Sequence, residues 1–108
     1  MVRNLLELKL QKILLCVEPG TCPYIDTKPL HSSQIKLSAD EQEDMRNQYR
    51  QFETWTFYTI ECIPDDYELP RLLMSYGSNL MVMKPIQLVN RIKENLHNLT
   101  KNYASLCE

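Results

Sequence analysis

Glycine is almost missing from this chain: 108 residues contain only Gly20 and Gly77. A loop that cradles phosphate needs several closely spaced glycines so that backbone amides can approach the anion, so no P-loop or dinucleotide fingerprint exists. The four cysteines, Cys16, Cys22, Cys62 and Cys107, never form a C-x-x-C pair. That spacing counts against a zinc site, and their scatter makes no dense disulfide framework; reduced thiols in a cytoplasmic protein are expected. No apolar run approaches the ~20 residues that a helix needs to span a bilayer. Met1-Val2-Arg3 runs straight into a strand-like segment rather than a signal peptide, so neither secretion nor a membrane partner is expected. An excess of one charge is lacking too. Twelve Lys+Arg against fourteen Asp+Glu leave −2, so a polyanion could be held only by a local basic patch.

What is present is an ordinary globular composition, 44% hydrophobic and 24% charged, in a length that suits one domain. The chain is organised around residues 68–99. Leu69, Leu72, Leu73 and Tyr76 fall at helical spacing. Gly77 then supplies a left-handed helix stop. Leu80 to Met83 is a short apolar run that suits a covered strand. Pro85 fits the first turn of a long helix with Leu88, Ile92, Leu96, Leu99, Tyr103 and Leu106 along one stripe.

Upstream, Leu6, Leu8 and Leu10 alternate with polar residues, and Lys12 to Glu18 reads as a strand with Ile13, Leu15 and Val17 on one face. Pro19-Gly20 makes a turn, Thr21 caps a short helix with Pro23 in its first turn, and Pro29 requires that helix to stop. A second strand is expected over Gln34 to Ser38. Thr54 to Ile63 is the best strand, with Tyr58, Ile60 and Cys62 on one face and Trp55, Phe57, Thr59 and Glu61 on the other. Pro64-Asp65-Asp66 ends it and caps the following helix. Between these strands, residues 38–52 are polar. Ser38 and Glu41 have capping-box spacing, and Met45, Tyr49 and Phe52 share a helical face, so a helical insertion and a solvated loop both remain open.

The order is strand, helix, strand, strand, helix, strand, helix. This predicts an α+β class, with a ferredoxin-like β-α-β-β-α-β sheet and an extra C-terminal helix. Residues 1–11 are a linker or a leading strand, and residues 12–108 are the domain. One face of such a sheet is covered by its two helices. The other would carry Leu14, Cys16, Trp55, Phe57, Met81 and Met83, too apolar for bare solvent. Three covers are open: the terminal helix folded across it, a second copy, or a ligand or stacked base. Leu14, Trp55, Phe57, Met81 and Met83 are the candidate interface of a homodimer.

Catalytic chemistry has little support. His31 stands beside Ser32, Ser33 and Gln34, but neighbours on one short segment rarely reach nucleophile–base geometry, and no carboxylate orienter is evident. Hydrogen bonding around the helix-to-strand turn suits Ser33 and Gln34 better. Tyr24, His31 and Gln34 are candidate ligand contacts, and Arg71 and Lys84 are candidate phosphate contacts flanking the glycine–strand–proline block. No enzyme activity, cofactor or metal is expected.

Two ordered blocks carry a family resemblance. Val17-Glu18-Pro19, Pro23-Tyr24-Ile25 and Pro29-Leu30-His31-Ser32-Ser33-Gln34 form the first. Leu72, Leu73, Gly77, Leu80, Val82, Met83, Pro85, Leu88 and Tyr103 form the second. Together, over roughly residues 12–104, they resemble the C-terminal extension, called WCX, of bacterial WYL-domain transcriptional regulators. The resemblance implies a ferredoxin-like fold and a cytoplasmic, non-catalytic domain that supports dimerisation and helps sense an effector, plausibly a nucleic acid or nucleotide. Promoter DNA would be bound only by a helix-turn-helix domain that these residues do not contain. Trp55 and Tyr58 are not the W-Y-L signature, because they follow the P-L-H-x-S-Q block instead of preceding it. Two other classes compete: a stand-alone single-stranded nucleic-acid binder using Trp55, Phe57 and nearby cations, and a purely structural dimerisation module.

Overall fold

The computed structural model describes residues 10–63 and 68–106. The leading Leu6 and Leu8, the Asp65-Asp66 cap and Cys107 lie outside those residues. The protein is α+β, and the described residues form four helices and a four-stranded sheet in the order β2-β3-β1-β4. The strands are β1 (Gln11–Val17), β2 (Ile35–Lys36), β3 (Thr56–Cys62) and β4 (Leu80–Lys84), and every pairing is antiparallel. The helices are α1 (Cys22–Thr27), α2 (Ala39–Gln48), α3 (Leu69–Met74) and α4 (Ile86–Ala104). Single 3-10 turns at Arg50–Phe52 and Gly77–Asn79 precede β3 and β4.

Alternation along the central strands sends side chains to two cores. On the first face Ile13, Leu15, Val17, Tyr58, Ile60, Leu80 and Val82 pack with Ile25 of α1, Leu69 and Leu73 of α3, and Leu88 of α4. On the second face Leu14, Cys16 and Phe57 are buried beneath Leu37, Met45, Tyr49 and Phe52, with Trp55 and Met83 at the side. The 38–52 segment is therefore the helical insertion, and it covers the face that had no assigned cover.

This overturns the first of the three expected covers. The terminal helix packs on the first face, where Leu88 is fully buried and Val89 and Ile92 lean on the core. The physical reason is the joint at Pro85. It is the N-cap of α4 rather than a first-turn residue, with ψ 165, and it follows directly from the edge strand β4, so the chain turns back over the face that α3 already covers.

The expected strand over Gln34 to Ser38 is only two residues long. Side chains finish the edge of β3 where β2 stops. Ser33 Oγ accepts from Glu61 N (2.7 Å) and lies 3.1 Å from Glu61 O. At the other end Gln42 Oε1 accepts from Phe57 N (2.8 Å), and Gln42 Nε2 donates to Phe57 O (2.8 Å) and to Leu37 O (3.2 Å). A side-chain amide thus stands in for a peptide group in the ladder, satisfying the Phe57 N–H that burial would otherwise orphan.

Candidate functional site

An apolar concavity follows from the geometry of α3, β4 and α4. Helix α3 is short, starting with Pro70 in its first turn and ending within two turns. Gly77 then takes φ 61, and a side chain there would meet no atom within 4 Å, so the backbone rather than crowding requires glycine. Strand β4 leaves this turn as the sheet edge, paired with β1 alone among the described residues. Helix α4 passes above. Between them lies a groove of about 370 Å³, lined by Leu73, Met74, Leu80, Met81, Val82, Val89, Ile92 and Leu96, with Lys93 as its charged residue. It is an apolar recess that can hold a hydrophobic side chain or ligand. It offers no constellation for acid–base or nucleophilic work.

From this groove the stripe of α4 continues outward. Leu88 is buried and Ile92 half-buried, but Leu96, Leu99, Tyr103 and Leu106 are 48%, 47%, 67% and 59% exposed. The periodic pattern of one helix face is therefore half core and, among the described residues, half exposed surface.

The sequence-derived candidates are not gathered into one site. Tyr24, on α1, is exposed and packs edge-on against Tyr76, with centroids 6.3 Å apart. Burial, with Tyr24 adding to it, raises the Tyr76 phenol above its usual range. Gln34 ties the turn as expected: its Oε1 accepts from Leu30 N at 2.8 Å and its Nε2 donates to Ile25 O at 3.3 Å. His31 is exposed, and its Nδ1 accepts from Ser33 N at 3.1 Å. The Ser33 hydroxyl is also 2.7 Å from that nitrogen, but it is already engaged with the β3 edge, so the pair braces the turn. Arg71 lies in a separate polar groove of about 280 Å³ with Arg91, Glu94 and Asn95. Lys84 is exposed at the end of β4, opposite Leu14.

The candidate interface set divides similarly. Phe57 is fully buried and Leu14 nearly so, both under α2; they are core, because the insertion occupies the surface that a partner would need. Trp55 is half-buried against Phe52, with ring centroids 4.8 Å apart, and Met83 is half-buried in the same cluster. Met81 alone keeps substantial exposure, 39%, and borders the apolar groove.

Three features escaped sequence reasoning. Gln42 sits inside a run of polar residues with nothing in its spacing to single it out. The exposure of the α4 stripe has the same period as burial would have. The third is a polar link across the edge of the first core: Tyr58 O–H donates to Asp26 Oδ1 at 2.8 Å, and Lys36 Nζ pairs with Asp26 Oδ2 at 3.0 Å. The Tyr58 bond, then Lys36, hold the Asp26 carboxyl below its usual range, against some desolvation, and burial followed by Asp26 raises the Tyr58 phenol. Burial also pushes the Cys16 thiol up to about 12, with Cys22 adding and Arg46 opposing, so Cys16 is a packed, unreactive thiol.

No helix among the described residues is long and apolar enough to cross a membrane. Set against models of known protein families the chain matches none, and no curated protein matches it significantly.

Proposed function

We propose that this chain is a non-catalytic regulatory domain of the kind that ends WYL-type bacterial transcriptional regulators, acting in dimerisation and in the sensing of a nucleic-acid or nucleotide effector. The observation that carries the reading is where the resembling residues lie. Gln34 of the first block bridges Leu30 and Ile25, and Ser33 closes the edge of β3 at Glu61. Gly77 of the second block holds its left-handed turn, and Pro85 starts α4. The two blocks coincide with the joints of the fold, where a family pattern would be under physical constraint.

The ferredoxin-like topology belongs to the same proposal. Read from its other edge, the strand order is β4-β1-β3-β2 with antiparallel neighbours, and α1 and α3 pack on one face, as a split βαβ arrangement has them. Promoter DNA would be contacted by a helix-turn-helix domain outside these residues, in the cytoplasm. Direct stacking of bases on Trp55 and Phe57 is disfavoured, because α2 lies on Phe57.

Fluorescence anisotropy of short labelled single-stranded DNA and RNA tests effector sensing. The reading expects saturable binding that weakens with salt and falls in Arg71→Ala and Lys84→Ala variants. No binding at low salt by the folded protein would remove the nucleic-acid effector from the proposal.

A further inference from the structure

We propose that the exposed half of α4 is the contact with a second copy of this chain. Two α4 helices pack antiparallel about a two-fold axis, and the outer stripe of each fills the apolar groove of the other. This rests on the dimerisation part of the functional reading and names its surface: of the two routes expected from the sequence, the sheet face and the terminal helix, it is the helix.

Self-complementarity carries the argument. A two-fold interface uses one patch twice, so the patch must contain both a ridge and a recess that receives it. Here they are consecutive along α4, with Leu106 just past its end. Val89, Ile92 and Leu96 line the groove, and Leu96, Leu99, Tyr103 and Leu106 form the ridge. With the axis near Leu96 the register closes. Tyr103 lies seven residues beyond Leu96 and Val89 seven before it, each about 10.5 Å along the helix. An antiparallel copy therefore sets the partner's Tyr103 level with Val89 and the partner's Leu99 level with Lys93, one residue from Ile92.

Electrostatics permit the pairing. From Asn95 to Leu106 the sole charged residue is Lys101, which lies five positions from Leu96, about 140° round the helix and away from the stripe. Depletion of charge at its centre marks an interface core, and Lys93, which lines the groove, is the charged residue level with the partner's Leu99. A partner of different sequence would leave the match between ridge and recess within one chain without a use.

The area is of the right order. Leu96, Leu99, Tyr103, Leu106 and Met81, 39–67% exposed, present on the order of 500 Å² of apolar side chain per copy, against ~800 Å² per partner for a standard interface.

The test is the solution mass of the 108-residue chain by sedimentation equilibrium over roughly 1–200 µM. The expected result is reversible dimerisation of the 12.8 kDa chain. Leu99→Glu and Tyr103→Glu, both at exposed positions, should each weaken it at least about tenfold with an unchanged circular dichroism spectrum. Ile35→Glu, on the second face and 62% exposed, should leave it intact. A mass of one chain throughout, or a dimer that survives both glutamates, overturns the proposal. Anisotropy on the same samples separates the two readings. A dimer that binds no single strand leaves the interface standing and removes the nucleic-acid effector, whereas a monomer that binds one does the reverse.

Discussion

The two faces of the sheet are closed by different physics. On the first, α1, α3 and α4 bury a continuous apolar cluster from Ile13 to Leu88. On the second, one polar helix is fastened by side-chain bonds to backbone: Gln42 to both polar groups of Phe57, and Arg46 Nε to Trp55 O at 3.0 Å. Burial of apolar area is non-directional and tolerates rearrangement. A side chain that satisfies a buried amide has one geometry and no substitute. The first face should therefore yield gradually to truncation, and the second should depend on single atoms.

The largest expected effect breaks the first face. Leu88→Ala removes a fully buried side chain where α4 meets the core and should cost about 3 kcal/mol in urea unfolding. Gln42→Ala should cost about 2 kcal/mol by leaving Phe57 N–H buried and unpaired, although Gln42 contributes almost no apolar area. Its near-isostere Gln42→Glu should also destabilise, because a carboxylate cannot donate to Phe57 O. If both Gln42 variants are neutral, the contrast between the faces is wrong.

Gly77→Ala should cost roughly 1–2 kcal/mol through the left-handed backbone alone, with no change in the slope of unfolding against urea. Ser38→Ala opens the capping box of α2, in which Glu41 N donates to Ser38 Oγ at 3.2 Å and Ser38 N to Glu41 Oε1 at 3.0 Å; it should cost about 1 kcal/mol. Smallest is the pH effect at Asp26. Its folded pKa lies below the unfolded value, so its stabilisation is present above ordinary carboxylate pH and is lost as pH falls through the folded pKa. Asp26→Asn should reduce the acid loss of stability below about pH 4. An unchanged acid limb would mean that the Tyr58 and Lys36 contacts do not persist in solution.

Much of the first face was legible because burial there follows a period. Ile13, Leu15 and Val17 alternate, and Leu88 and Ile92 are one turn apart. The positions of α1 and α3 were legible from prolines near their starts. The second face was legible only in part. Met45, Tyr49 and Phe52 suggested a helical face, but a single chain does not say which surface that face meets. The same ambiguity hid the groove and the outer stripe of α4, since a row of leucines repeats identically whether it enters the core or leaves it. Among the candidate sites, Gln34 was readable as a turn brace. The dispersal of Tyr24, His31, Arg71 and Lys84 was not, because spacing along a chain does not fix distance across a fold.

By itself the sequence determined the α+β class, which strand faces are apolar, and where the chain must turn, since these depend on local periodicity and on the restricted backbone angles of proline and the freedom of glycine. Only the tertiary structure decided that the polar insertion closes the second face and that the stripe of the last helix is exposed beyond Ile92 among the described residues. Those outcomes depend on which surfaces meet and on how far each element reaches, and neither is encoded in any single stretch of residues.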